Sequence, residues 1–175
     1  MTPEIRPATV EDAEAAAWCH LQCWQEAYAG LAPSDVLAQR TANVDQRIER
    51  WSQAIQDGKT RWLAINPGEV PMRDRVVGFV GTSPGRDEDS PVPLELQAIY
   101  TRAAWWGSGL GTRLLDVAIG KDPAYLWVFE DNERALGFYR RHGFAPDGTR
   151  KHDEYFDLWE IRLVRTAHPT TETQP

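Results

Sequence analysis

The spacing of apolar residues predicts an amphipathic helix early in the chain. Apolar side chains recur every three or four positions, at Ala13, Ala17, Leu21, Trp24 and Tyr28. This period places them on one face of a helix that ends at Gly30. Thr9 with Asp12 resembles a capping box ahead of that helix, with Asp in place of the usual Glu. Residues 4–9 before it are predicted to form a short strand.

A second helix is predicted after the break at Pro33. It starts near Asn43 and Gln46 and ends at Gly58, because these residue types favour helix boundaries. One face of this helix is apolar and consists of Val44, Ile48, Trp51 and Ile55.

The pattern then changes from helical spacing to that of strands. Residues 60–66 and 75–83 are apolar runs joined by a loop with Pro and Gly, which predicts an antiparallel hairpin. Residues 84–93 are polar and predict a mobile loop. Residues 94–101 read as a third strand of this group.

The second half of the chain alternates helices and strands. We predict a helix over about 109–119, a buried strand over 124–130, a helix within 132–144 and a long strand over 154–165, and a further short strand fits near 147–152. The order is β-α-α-β-β-β-α-β-α-β. A hairpin followed by crossovers requires a mixed sheet, so the fold class is α/β (α+β).

Length and charge narrow the classes of protein. The 175 residues are enough for one sizeable core, which predicts one domain over 1–165 and a flexible tail over 166–175. A net charge of -7 argues against non-specific binding to nucleic acid or to an anionic membrane. The chain has no apolar stretch of membrane-spanning length and no signal-peptide pattern at its start. We therefore expect a cytoplasmic protein that binds neither nucleic acid nor a membrane.

The two cysteines do not indicate a metal site. Cys19 and Cys23 lie one helical turn apart, and the neighbouring His20 points away from their face. A structural zinc site needs about four ligands. We interpret the cysteines as structural thiols and expect no metal.

The segment 105–115, WWGSGLGTRLL, has glycines at three alternate positions before an amphipathic run. A glycine loop that opens a helix suits a phosphate group, because backbone N–H groups and the helix dipole both favour an anion. A dinucleotide-binding turn fits in part, with Glu130 and Asp131 about 20 residues further on, but Thr112 stands in place of its third glycine. A Walker loop needs Lys directly before Ser or Thr. Here Gly111 precedes Thr112 and Arg113 follows it, so the phosphate-binding lysine is missing and this interpretation fails.

Residues 95–115, ELQAIYTRAAWWGSGLGTRLL, closely resemble the acetyl-CoA-binding motif of the GNAT superfamily of N-acetyltransferases. In that motif, a strand ending in an Ile-Tyr-like pair leads through Q/R-x-x-G-x-G/A into a helix. The chain departs from it at Trp106, where Gln or Arg is common, which implies an altered cofactor affinity. The family's second motif, N-x-x-A-x-x-F-Y-x-x-x-G-F, is matched by Asn132, Ala135, Phe138, Tyr139, Gly143 and Phe144.

The resemblance implies a GNAT fold, with a mixed and mostly antiparallel sheet of about six to seven strands flanked by about four helices. The implied activity transfers an acetyl group from acetyl-CoA to a primary amine of a small molecule or peptide. The amine would attack directly in a ternary complex, without a metal. Members of the family are often dimers, which leaves a homodimer open. The implied cofactor contacts are Ile99, Tyr100, Thr101, Trp106, Gly107, Ser108, Gly109, Leu110, Gly111, Thr112, Asn132 and Tyr139.

Two residues are candidates for the proton transfers of this reaction. The resemblance places the Tyr139 hydroxyl near the thioester sulfur, where it would protonate the leaving thiolate. Glu95 is the one acid of its strand and shares a strand face with Gln97, so it is the candidate base, with a water chain as the alternative. Asn132 fits the cap of the following helix. The alternative function is an acyl-CoA-binding or regulatory domain without turnover.

The acceptor pocket has weaker candidates. Family members usually line it with the first two helices and the late strands, which makes Trp24 and Tyr28 candidate substrate contacts. The acidic run at 87–89 suits either a cationic amine or a solvated loop. His152 and Glu160 receive no role. Three arginines suit either cofactor phosphates or solvent: Arg113, Arg140 and Arg141.

Overall fold

A computed structural model of the protein describes residues 2–167. This part contains seven strands and five α-helices. The strands are β1 Glu4–Pro7, β2 Arg61–Ile65, β3 Val76–Pro84, β4 Leu94–Thr101, β5 Ala124–Phe129, β6 Ala145–Asp153 and β7 Leu158–Arg165. The helices are α1 Ala13–Tyr28, α2 Ser34–Thr41, α3 Val44–Gln56, α4 Leu110–Ile119 and α5 Glu133–Arg141.

All seven strands join one sheet in the order β1-β2-β3-β4-β5-β7-β6. Every neighbouring pair is antiparallel except β4 with β5, which is parallel and in register only at Glu95 and Tyr125. Beyond that point β4 and β5 are no longer paired, so the sheet opens between them. The predicted mixed and mostly antiparallel sheet is confirmed. A doubly wound parallel sheet for a dinucleotide is excluded.

Helices cover both faces of the sheet, and β5 shows how its residues divide between them. Leu126 and Val128 pack with α4 and α5 on what we call the α4 face. Phe129 points the other way and packs with Tyr28 of α1, on what we call the α1 face. This alternation follows from the two-residue period of a strand. The gap where β4 and β5 separate connects the two faces of the sheet.

The first helices begin as the sequence predicts. The backbone N–H of Thr9 donates to the Asp12 carboxylate at 2.9 Å, which completes the capping box before α1. The Asn43 side chain caps α3. The sequence does not predict helix α2, because its eight residues bury only Leu37 and Thr41 and show no helical spacing of apolar residues. Among residues 2–167, no helix is long and apolar enough to cross a membrane.

The C-terminal hairpin differs most from the sequence prediction. Strand β6 has nine residues, Ala145–Asp153, where only a short strand near 147–152 was expected. Strand β7 starts at Leu158 rather than at 154, because the chain turns before it, with Asp157 at a φ of 57°. Most residues of β6 are exposed, so it lacks the apolar alternation that marks a strand. The predicted flexible tail lies, from residue 168 on, outside the described residues.

Candidate active site

A cleft of about 570 Å³ opens where β4 and β5 separate. Its walls come from both strands, from the loop before α4, from α5 and from the β6–β7 hairpin. It therefore reaches from the α4 face to the α1 face. Most of the residues that the sequence singles out line this cleft, although they come from distant parts of the chain.

The glycine loop forms the α4-face end of the cleft. Gly107 and Gly109 have φ values of 74° and 84°, in the left-handed region that favours glycine. Gly109 is also the residue before the first turn of α4. Among residues 2–167, the N–H groups of Gly109, Gly111 and Thr112 donate to no protein oxygen. The loop thus presents free backbone donors at a helix N-terminus, as an anionic group requires.

Gly111 allows the two cofactor motifs to pack closely. A Cβ atom at this position would lie 3.2 Å from the ring of Phe138, which is closer than side chains normally approach. The Thr112 hydroxyl is also hydrogen-bonded to the His142 ring at 3.1 Å. Helix α5 is therefore held against the start of α4.

Trp106 precedes the first glycine and has partners of its own. Its indole N–H donates to the carbonyl of Thr101 at 2.9 Å, and the Arg134 guanidinium lies 3.8 Å from its ring centroid. The side chain stays 37% exposed at the edge of the cleft. These two contacts hold Trp106 at the start of the loop.

Tyr139 lies on α5 and lines the cleft from the α4 face. Its ring packs against Phe144, and it is 8% exposed. Burial raises the pKa of its hydroxyl, which stays protonated at neutral pH. Among residues 2–167 this hydroxyl has no hydrogen-bond partner, so it is available to a group in the cleft.

Glu95 is buried where β4 and β5 still pair. Arg86 donates to both of its carboxylate oxygens, at 2.9 and 2.6 Å, and Tyr125 adds a bond at 3.1 Å. Burial favours the neutral acid, but the bonds from Arg86 outweigh it and lower the pKa of Glu95. These contacts make Glu95 a weak base with its oxygens engaged. Its predicted base role stays a prediction with a structural alternative.

The other predicted residues divide between the cleft and the core. Asn132 lines the cleft and accepts from the N–H of Ala135 at 3.1 Å, which caps α5. Tyr28 also lines it, and its hydroxyl is hydrogen-bonded to that of Tyr100. Trp24 packs behind them in the core, against Phe156.

The acidic run in the loop after β3 is bound to the protein. Arg162, whose side chain is 5% exposed, contacts Asp87, Asp89 and Asp147 at 3.3, 2.8 and 2.7 Å. The predicted mobile, solvated loop is therefore tied to the β6–β7 hairpin. Two of its three acids are paired with Arg162 and are not free to attract an amine.

The predicted arginines lie in different places. Arg141 lines the cleft, whereas Arg113 donates to the carbonyl of Pro3 at 3.0 Å. Trp127, Lys151 and Glu160 also line the cleft and lie outside the family motifs. Among residues 2–167, no group of three or more His, Cys, Asp or Glu side chains is arranged to hold a metal ion. Cys19 and Cys23 are buried free thiols.

The fold and the glycine loop define an acetyltransferase of the GNAT class, and comparison with known proteins gives the same result. The Acetyltransferase (GNAT) family matches residues 18–144, so the chain belongs to this family. It is 27% identical to a probable N-acetyltransferase of Mycobacterium tuberculosis, over 82% of this chain and 80% of that protein. It is 26% identical to an uncharacterized N-acetyltransferase of Bacillus subtilis, over 91% and 87%.

Solved structures support the same fold. The PaiA N-acetyltransferase of Thermoplasma acidophilum, in complex with coenzyme A, superimposes with a TM-score of 0.67 at 16% identity, over 95% of this chain and 99% of that one. A putative acetyltransferase of Salmonella typhimurium with its cofactor acetyl-CoA gives 0.65 at 17% identity, over 96% and 95%.

Proposed function

We propose that the protein transfers an acetyl group from acetyl-CoA to the primary amine of a small molecule or peptide, by direct attack in a ternary complex. The observation that carries this proposal is the cleft between β4 and β5, which joins the free N–H groups of the glycine loop to the Tyr139 hydroxyl. A backbone donor set beside an acid of raised pKa suits transfer from a thioester.

The loop fits the pyrophosphate of coenzyme A. A Cβ atom at Gly109 would meet no atom within 4 Å, so the protein leaves the space beside this residue open. The N–H groups of Gly109, Gly111 and Thr112 would bind it, and Asn132 and the β4 residues Ile99 to Thr101 would line the path into the cleft. When bound, acetyl-CoA supplies the acetyl group as an activated thioester.

Tyr139 supplies the proton that the departing sulfur needs. Its hydroxyl is neutral at neutral pH because burial raises its pKa. An ammonium acceptor loses two protons as the amide bond forms. One proton ends on the thiol by way of Tyr139, and the other leaves to solvent through the base, which is either Glu95 or a chain of water molecules.

Calorimetric titration with acetyl-CoA, beside NAD and ATP, tests the cofactor. We expect micromolar binding of acetyl-CoA and weaker binding by Gly109→Ala, because a side chain strains this left-handed backbone and displaces its donors. Gly58→Ala is the matched control, since Gly58 has a φ of 70° and similar open space at the far end of α3. Binding of NAD with no response to acetyl-CoA would overturn the proposal.

Release of free thiol from acetyl-CoA tests turnover. The acceptors to screen are peptides, polyamines, aminoglycosides and amino acids. Thiol release that depends on one of these amines supports an enzyme. Binding of acetyl-CoA without turnover of any of them supports the alternative, an acyl-CoA-binding or regulatory domain.

A further inference from the structure

At the α1-face end of the cleft, a lysine ammonium lies between a carboxylate and an indole ring. Nζ of Lys151 is 3.7 Å from Oε2 of Glu160 and 3.8 Å from the ring centroid of Trp127. All three residues line the cleft. They come from β6, β7 and β5, and none of them belongs to the glycine loop or to α5.

Strand register brings this group together. Glu160 is paired with Phe129 of β5 on one side and with Lys151 of β6 on the other. Cross-strand partners point to the same face of a sheet. Phe129 packs with Tyr28 on the α1 face, so Glu160 and Lys151 face that side as well. Tyr139 reaches the cleft from the opposite face.

Glu95 and Glu160, two of the three carboxylates that line the cleft in the described part of the chain, differ in how many hydrogen-bond and ion-pair partners they already have. Glu95 accepts three hydrogen bonds, whereas the charged partner of Glu160 among residues 2–167 is Lys151 alone. The side chain of Glu160 is 15% exposed, so a small group in the cleft can reach it. Burial raises the pKa of Glu160 and the nearby Asp153 adds to this effect, while Lys151 opposes it.

We propose that Glu160 and the face of Trp127 form the subsite for the acceptor's ammonium group, and that the acceptor displaces Lys151 from it. A carboxylate beside an aromatic face recognises an alkylammonium group by charge and by cation–π attraction. Lys151 is itself a primary ammonium in that position, which shows that the pair accommodates one. This inference rests on the proposed function and specifies the acceptor as a primary alkylammonium compound that enters from the α1 face.

Binding of n-butylammonium to the full chain with coenzyme A present tests the subsite. This probe has an ammonium group and no other recognition group, and 1-butanol is the matched ligand without charge. Proton–nitrogen NMR of the Trp127 indole N–H, assigned with Trp127→Phe, reports binding at the ring. We expect n-butylammonium to shift this resonance and 1-butanol not to shift it.

Two variants should change this affinity in opposite directions. We expect Glu160→Gln to weaken n-butylammonium binding by about tenfold, since a charge-assisted contact is lost. Lys151→Met should strengthen it several-fold, because the competing ammonium is gone. The controls are Glu154→Gln, an exposed carboxylate on the same hairpin, and Arg150→Met, a neighbouring cation paired with Glu130. Both should bind like wild type.

Equal affinity of wild type and Glu160→Gln, or weaker binding by Lys151→Met, would overturn the inference. Strengthening by Arg150→Met as large as that by Lys151→Met would overturn it too, since bulk charge would then explain the effect. Failure of the proposed function has a separate sign, which is absence of acetyl-CoA binding by the wild-type protein. Loss of both responses would reject both proposals, and loss of the ammonium response alone would reject only this one.

Discussion

The two ends of the cleft are built by different means. The α4-face end uses backbone N–H groups of the glycine loop and one hydroxyl, all within residues 107–139. The α1-face end uses the Trp127 ring of β5 and charged side chains from the loop after β3, from β4 and from the β6–β7 hairpin. Apolar packing and helix geometry hold the first end in place. Ion pairs of Arg86 and Arg162 hold the second.

Under the proposed function, this difference would let related proteins share one acetyl donor and differ in their acceptors. Backbone donors do not depend on side-chain identity, so under the proposed function the α4-face end should tolerate a departure such as Trp106. The α1-face end depends on individual side chains, each of which a single substitution can change. If the acceptor binds at that end, as proposed, the choice of acceptor could change there without disturbing the loop.

The largest expected effect comes from Tyr139→Phe, which removes the proposed proton donor at the α4-face end. With an identified acceptor, we expect kcat to fall by about a hundredfold or more, the usual contribution of a general acid. The dissociation constant of acetyl-CoA should stay near the wild-type value, since the backbone loop is intact. Steady-state kinetics with calorimetry measures both. An unchanged kcat would remove Tyr139 from the reaction and leave water as the acid.

Arg162→Met should destabilise the α1-face end of the cleft and leave the α4-face end intact. It leaves the half-buried Asp87 and Asp147 without their cation, whereas Asp89 is exposed, and we expect the free energy of unfolding to fall by about 2 kcal/mol, less than for a fully buried pair. Arg150→Met is the matched control on the same hairpin, because its ion pair with Glu130 is exposed and should change the free energy of unfolding much less. Urea unfolding measures the difference. Equal losses in the two variants would contradict a structural role for the Arg162 cluster.

Acidification should destabilise the α1-face end of the cleft before the α4-face end, and both ends can be followed in one sample. The pKa values of Glu95 and Asp147 are lowered in the folded protein despite burial, by Arg86 and by bonds from Thr149 and Arg162. Their stabilising contribution is therefore complete at neutral pH, above the ordinary carboxyl value of about 4, and is lost as the pH falls through the lowered values. The α1-face end should loosen first on acidification.

Two indole N–H groups report this difference. Trp127 donates to the Asp87 carboxylate at 3.0 Å, whereas Trp106 donates to the backbone carbonyl of Thr101 at 2.9 Å. In an NMR titration from pH 7 downward, we expect the Trp127 resonance to move or broaden before that of Trp106. Simultaneous change of both would mean that the two ends unfold as one unit.

The sequence predicts the α4-face end of the cleft better than the α1-face end, because the first depends on local backbone features and the second on individual side chains from distant parts of the chain. Glycines at 107, 109 and 111 and a helix start are local features, and the loop geometry follows from them. The mixed sheet was also predictable from a hairpin followed by crossovers, and it is confirmed. The catalytic and binding roles of individual residues stay predictions.

The α1-face end depends on strand register, which a single sequence does not reveal. Glu160 meets Lys151 because β6 pairs with β7, and β6 is too exposed to show the alternation of a strand. Arg162 meets Asp89 across 73 positions of the chain. One local signal existed, since Arg162 is a charge within the mostly apolar strand β7, and such a charge requires buried partners.

The smallest expected effect is that of Trp106→Gln, which tests whether the α4-face end of the cleft depends on a side chain. The family commonly has Gln or Arg here, and in this chain the indole contributes one hydrogen bond and one stacking contact with Arg134. If backbone donors bind the phosphates, the dissociation constant of acetyl-CoA should rise by less than about tenfold, the value of one such side-chain contact. Gly109→Ala, measured in the same titrations, should weaken binding more. A larger loss from Trp106→Gln than from Gly109→Ala would mean that this end of the cleft also depends on a side chain.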